Sequence, residues 1–144
     1  MVETDAPVVA RLEQRTLSPW SLPSLLEELK QDRGAVFVAE VNVDQDSKPE
    51  IVGWCACRYI VPESELLKIS VSKNSRRIGI ATALLKHLTF FLSQRRIQTL
   101  FLEVRSENQS ALNFYTKSGF LKIGERSGYY SNPTDSASLF QKML

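Results

Sequence analysis

The hydrophobic pattern divides the chain into stretches of helical and of strand period. Val8, Val9 and Leu12 form the apolar side of a short helix over residues 7–15, which Ser18-Pro19-Trp20-Ser21 ends. Ser21 is placed to cap a second helix reaching about Lys30, with Leu22, Leu25, Leu26 and Leu29 turned inward and Gly34 closing the unit. Residues 35–41 and 51–61 read as strands, separated by a polar, turn-rich loop over 42–50. Pro62-Glu63-Ser64 is the turn to a third strand, 66–71, and the three strands suit an antiparallel meander.

After Val71 the period changes. Residues 72–79 are a basic turn with no large apolar residue before Ile78. Ala81, Leu84, Leu85, Leu88, Phe91 and Leu92 then recur at helical spacing, predicting a helix from about Gly79 to Gln94. Over 99–105 the pattern alternates: Leu100, Leu102 and Val104 face one side of a strand, Phe101, Glu103 and Arg105 the other. A helix over 109–118 follows, with Asn108 as its cap and Gly119 as its stop. Two last strands, 121–125 and 138–143, flank a polar loop. No repeat and no linker divides the 144 residues, so a single domain over 1–144 is expected, a mixed α/β arrangement of helices on one sheet.

Composition narrows the class. With 43% hydrophobic and 24% charged residues, 6 Gly and 6 Pro, the chain is neither collagen-like, low-complexity nor disordered. A net charge of +2 is too mild to point to nucleic acid. Cys55 and Cys57 share a strand face but are too close in the chain to bridge readily, so a disulfide-stapled secreted domain is not expected. No further Cys or His pair completes a zinc site around them, and they read as buried strand residues. No apolar run reaches about 18 residues, and the acidic N-terminus lacks a signal-like core, so the expected location is cytoplasmic. His87, the only histidine, flanks the helix stripe and reads as a surface residue; Trp54 reads as core.

The most informative stretch is Arg76-Arg77-Ile78-Gly79-Ile80-Ala81-Thr82, between a strand and a long helix. The first turn of a helix presents unpaired N–H groups and a partial positive charge. Gly79 and Ala81 let a phosphate approach the backbone, and Lys73, Arg76 and Arg77 add charge, which is the physics of an anion cradle. The same residues also make an ordinary basic strand–helix turn. Neither common glycine-rich nucleotide motif is present.

R-x-x-G-x-A after a strand resembles the acetyl-CoA signature of the GNAT acetyltransferase superfamily. Leu102-Glu103-Val104-Arg105, Asn108, Ala111, Phe114-Tyr115 and Ser118-Gly119-Phe120 resemble the corresponding block of RimI-type ribosomal-protein alanine N-acetyltransferases, as do Pro19-Trp20-Ser21 and Arg126 followed by Tyr129-Tyr130. The likeness spans nearly the whole chain. It departs at Ala81, where a second glycine is usual, at Lys68, where an asparagine or similar residue is expected, and over 132–139, a stretch that borders the acceptor site in the family.

The resemblance implies a GNAT-type mixed sheet, largely antiparallel, with a splayed central strand pair and flanking helices. It implies that acetyl-CoA is the cosubstrate, its pantetheine arm lying along Ile69, Ser70 and Val71 and its diphosphate over Arg76, Arg77, Ile78, Gly79, Ile80, Ala81 and Thr82, with Asn108 near the arm. Glu103 is then the general base and Tyr115 the general acid. Each residue has a plainer role beside this one: Ile69 to Val71 as an ordinary strand, Asn108 as a helix cap, Glu103 as a partner for Arg105, Tyr115 as packing. Tyr129 and Tyr130 either line a peptide groove or are strand aromatics, and Trp20 is either core or site rim. The implied partner is a protein N-terminus, that of a ribosomal protein, with no direct nucleic acid, membrane or metal, in a monomer or weak homodimer. Lysine or a small amine as acceptor, and a non-catalytic acyl-CoA-binding module, are the competing readings.

Overall fold

Leucine stripes at helical spacing and strands of alternating burial meet on the two faces of one sheet. The computed structural model describes residues 1–42 and 48–144, so most of the loop expected over 42–50 lies outside the described residues. Helices α1 (Ala6–Glu13) and α2 (Leu22–Glu28) precede strands β1 (Gly34–Val41), β2 (Glu50–Ile60) and β3 (Glu63–Val71). Helix α3 (Ile80–Ser93), β4 (Thr99–Arg105), α4 (Gln109–Lys117), β5 (Leu121–Tyr130) and β6 (Asp135–Met143) follow. The strand order is β1-β2-β3-β4-β6-β5. Among the described residues only β3 and β4 run parallel and every other pair is antiparallel, which is the largely antiparallel mixed sheet expected.

Strand β2 explains why both faces need cover. Its residues from Ile51 to Cys57 are all buried, a continuous run of the kind found where a strand is covered on both sides. Cys55 and Cys57 pack with Leu66, Leu100, Leu102 and Val104 against Leu84, Leu85, Leu88 and Leu92 of α3 and Tyr115 of α4. Ile51, Trp54 and Ala56 pack on the opposite side against Ala6 and Val9 of α1 and Leu25 of α2. Ser21 caps α2 by accepting from the Ser24 N–H at 3.2 Å, as its position predicts.

The register of β2 with β3 slips once. Ala56 lies opposite Lys68 and Cys57 opposite Leu66, which leaves Leu67 as an extra residue. Such a bulge bends its strand and raises the local twist. Leu66 and Ile69 face α3, whereas Leu67 joins the core under α1 and α2.

Five boundaries differ from the sequence pattern. Strand β3 starts at Glu63, within the expected turn, because polar residues there pair with β2 and β4 without needing an apolar face; the buried Ser64 hydroxyl donates to the Thr99 carbonyl at 3.0 Å. The polar loop expected after residue 125 is instead a hairpin, β5 reaching Tyr130 and β6 starting at Asp135. As an edge strand exposed along most of its length, β5 has no need of alternation, and irregularities at Lys122/Gly124 and Arg126/Tyr130 break what period it has. Helices α1 and α2 stop about two residues early, at Glu13 and Glu28. Leu22, expected inward, is exposed at the first turn of α2. Among the described residues no helix is long and apolar enough to cross a membrane.

Burial pushes both thiols of the core up from the ordinary 9.0 to about 12. A group raised on folding lends stability that is complete below its unfolded value and is lost as pH rises toward its folded one. Stability is therefore expected to fall from about pH 9 upward, by about 1.4 kcal/mol per pH unit for each thiol. Urea midpoints across that range measure it, and a thiol reagent should label Cys55 and Cys57 only after unfolding.

Candidate active site

Strands β3 and β4 pair only from Glu63 opposite Thr99 to Leu66 opposite Leu102. Beyond that point β3 stays with β2 as far as Val71, while β4 stays with β6 as far as Arg105. The two central strands therefore fork, and the extra residue Leu67 sits at the fork. The gap opens into a cleft of about 800 Å³ with Ile69, Ser70 and Val71 on one wall and Glu103 and Arg105 on the other.

The start of α3 closes one end of the cleft. Gly79 is the N-cap with φ +92°, a left-handed conformation that side chains disfavour, and a Cβ there would meet nothing within 4 Å. Its glycine answers to the backbone and not to lack of space. Gly53 is the opposite case: a Cβ would lie 3.1 Å from Ile80 Cγ2, so its absence lets the helix start sit close to the sheet. No side chain caps α3, so the free N–H groups of its first turn are available to an anion. The Arg76 Nε donates to the Val71 carbonyl at 3.1 Å and ties the basic turn to the end of β3. Arg76, Arg77, Gly79, Ile80, Ala81 and Thr82 line the cleft; Ile78 does not, and is 68% exposed.

Glu103 is half-buried on the cleft wall, with Oε1 3.2 Å from Arg126 Nη2. Its charge partner is thus Arg126 and not Arg105. Arg105 is buried, donates from Nη1 to the Pro133 carbonyl at 2.8 Å, and lies with its guanidinium 4.3 Å from the centre of the Tyr130 ring. Across the gap Tyr115 packs edge-on to Phe120 yet also lines the cleft, so its packing role and its place in the site coexist. Burial pushes its phenol well above the ordinary range, with the charges of Tyr130 and Cys55 adding to the effect. Asn108 likewise does both things expected of it: Oδ1 accepts from the Ala111 N–H at 3.1 Å as the α4 cap, and the residue lines the cleft.

Tyr129 and Tyr130 are strand aromatics of β5, stacked edge-on with ring centres 5.0 Å apart. Tyr130 reaches the cleft, its phenol raised first by burial and then by the charge of Glu103; exposed Tyr129 is raised first by that same charge. Trp20 is both rim and core, lining the cleft while packing edge-on against Trp54. His87 is exposed, against Phe37. Among the described residues no three His, Cys, Asp or Glu side chains converge to hold a metal. Glu13, fully buried beneath the rim, escaped the sequence reading. Its signal was present, since it lies four residues after Val9 on the buried stripe of α1.

A sheet forked between parallel strands, with an uncapped helix start at the mouth and a carboxylate and a phenol on its walls, is the frame of an acyl-transfer site. Residues 6–120 match the family described as "Acetyltransferase (GNAT) family", and the chain belongs to that family. It is similar to the [Ribosomal protein bS18]-alanine N-acetyltransferase of Haemophilus influenzae, at 32% identity over 85% of this chain and 78% of the relative. It is 30% identical to the protein of the same name from Escherichia coli K12 over 88% of this chain and 82% of that one. The crystal structure of the ribosomal-protein-S18-alanine N-acetyltransferase from Escherichia coli superposes with a TM-score of 0.86 at 28% identity, covering all of this chain and 90% of that one.

Gly79→Ala forces a Cβ into the left-handed region in open space, so its expected effect is backbone strain alone, a loss of about 1–2 kcal/mol. Chemical denaturation of the purified variant measures it.

Proposed function

We propose that the protein is an N-acetyltransferase that moves the acetyl group of acetyl-CoA to a protein N-terminal amine, the acceptor being the N-terminal alanine of a small-subunit ribosomal protein. The observation that carries this reading is that Glu103 and Tyr115, from different elements, both line the cleft that opens where β3 leaves β4. The names of the relatives supply the acceptor.

The residues present fit the cosubstrate. Past Leu66 the edge of β3 has no partner in β4, so its backbone groups are free to bond the amides of an extended arm. The first turn of α3, with Arg76 and Arg77 beside it, suits a diphosphate. Acetyl-CoA supplies the thioester, whose carbonyl carbon gains a bond to nitrogen as its bond to sulfur breaks.

Glu103 and Tyr115 handle the protons. Glu103 keeps contact with solvent and takes the proton of the incoming amine, directly or through a water. Tyr115 is held protonated by its burial and gives its proton to the departing sulfur. Proton bookkeeping favours an α-amine, which has a pKa near 7.7–8.0 and is roughly a tenth neutral at pH 7, whereas a lysine is only about 0.04% neutral.

The test is free-thiol release from acetyl-CoA with peptides beginning in alanine. Tyr115→Phe should lower kcat by about 10²-fold or more while the KM for acetyl-CoA stays within about twofold. Glu103→Gln should lower kcat/KM for the peptide to a similar extent. Equal rates in Tyr115→Phe reject the acid role, and absence of turnover on every N-terminal peptide rejects the function. Faster turnover of lysine or small amines than of peptides moves the acceptor.

A further inference from the structure

We infer that Lys68, through its ion pair with Glu13, is a positioning residue for the acceptor: it fixes residues 14–20 as one wall of the acceptor side of the cleft. The inference rests on the reading of the cleft as a site for an amine acceptor.

Glu13 is fully buried at the end of α1, where a bare carboxylate is untenable. Four donors satisfy it. Oε1 accepts from Trp54 Nε1 at 3.0 Å, and Oε2 accepts from the Trp20 N–H at 3.2 Å and the Thr16 hydroxyl at 3.2 Å, with Lys68 Nζ 3.1 Å away. Lys68 Nζ also donates to the Ser18 carbonyl at 2.9 Å. Thr16, Ser18 and Trp20 are thus held by one ion pair, in a segment that belongs to no helix or strand and leaves Leu17 65% exposed. Apart from Trp20, which packs on Trp54, the segment has little apolar burial of its own and depends on these polar bonds for its shape.

The bulge in β3 aims Lys68. In a regular strand Lys68 would share a face with Leu66, toward α3. The extra residue Leu67 turns Lys68 to the other face, where α1 carries Glu13. That face is also Glu103's, since Leu102 and Val104 on either side of it are buried toward α3 and α4. The base and residues 14–20 therefore share one side of the sheet and Tyr115 lies on the other. An amine reaching Glu103 passes Thr16, Ser18 and Trp20, all of which line the cleft together with Lys68 itself. The charge balance matters as well. An ammonium on this wall repels an incoming N-terminal ammonium unless a carboxylate offsets it, as Glu13 does at 3.1 Å.

The experiment compares wild type, Lys68→Met, Lys68→Arg and the double variant Glu13→Gln/Lys68→Met, with acetyl-CoA and a peptide beginning in alanine. Lys68→Met should raise the peptide KM about tenfold, with kcat and the KM for acetyl-CoA within about threefold. Lys68→Arg keeps the charge and should recover most of the loss. Trypsin should cut after Arg15 faster in Lys68→Met than in wild type. The double variant removes both charges, so no buried ion is left alone if Lys68→Met folds poorly; it should show the same rise in peptide KM. An unchanged peptide KM in a folded variant, or an equal rise for both substrates, overturns the inference. If wild type acetylates no peptide, the functional reading fails instead, and the acceptor role of Lys68 falls with it.

Discussion

The site depends on one residue too many in β3. A parallel pair that ran its full length would satisfy every backbone group between β3 and β4 and would leave no room between them. Leu67 prevents this. It fits the pairing of β3 with β2 only as a bulge, and the pairing with β4 ends at the residue before it. A backbone edge that would otherwise be sealed is left facing an open cleft, where solvent can satisfy it and an extended ligand with amides of its own could take the solvent's place. Strand β2 on one side and β6 on the other keep the two arms of the fork rigid, so the gap needs no loop to hold it open.

The fork also separates the two groups of the proposed mechanism, Glu103 and Tyr115, by placing them on opposite faces of the sheet. Tyr115 sits among Phe114, Phe120 and Phe140, where loss of its proton would leave a charge in an apolar setting. In the proposed role of acid it keeps its proton until an acceptor as basic as a departing thiolate stands beside it. Glu103 projects from the other face of β4, keeps contact with water and has an exposed arginine beside it. Neither group needs a special residue type. Alternation along β4 supplies the carboxylate, and the inner face of α4 supplies the phenol.

Much of this was legible in the chain because the relevant signals are local. The leucine stripe of α3, the alternation over 99–105 and the caps Ser21 and Asn108 follow from spacing and side-chain chemistry, and each recurs in the structure. The resemblance of R-x-x-G-x-A and the Glu103 block then pointed to one cleft, whose walls hold Glu103, Tyr115 and every residue implied for the cosubstrate except Ile78, while Lys73 and Tyr129 lie outside it. What was hidden was cooperative. No pattern announces a bulge, since Leu66, Leu67 and Ile69 are apolar in any register. The β5–β6 hairpin was masked because an exposed edge strand needs no apolar face. The plainer role open to Glu103, as a partner for Arg105, is not the one taken, for a related reason: Arg105 is its neighbour in sequence, but Arg126 arrives only once β5 has folded back beside β6.

Two glutamates on the same side of the sheet show how environment, not residue type, sets a role. Glu13 is fully buried, and its oxygens meet two tryptophan N–H groups, a hydroxyl and an ammonium. Removing any one donor strands part of a buried charge, so the carboxylate cannot exchange partners and serves only to hold chain in place. Glu103 has 21% of its side chain exposed and a single ionic partner, itself 56% exposed. Surface pairs of this kind contribute little and are readily broken. The role proposed for Glu103, to take a proton, release it and return within each cycle, needs a group that is cheap to unpair, whereas a group that shapes a wall has to be expensive to unpair. The bulge at Leu67 supports both requirements: it opens the gap that gives Glu103 access to solvent, and it delivers the lysine that closes the shell around Glu13.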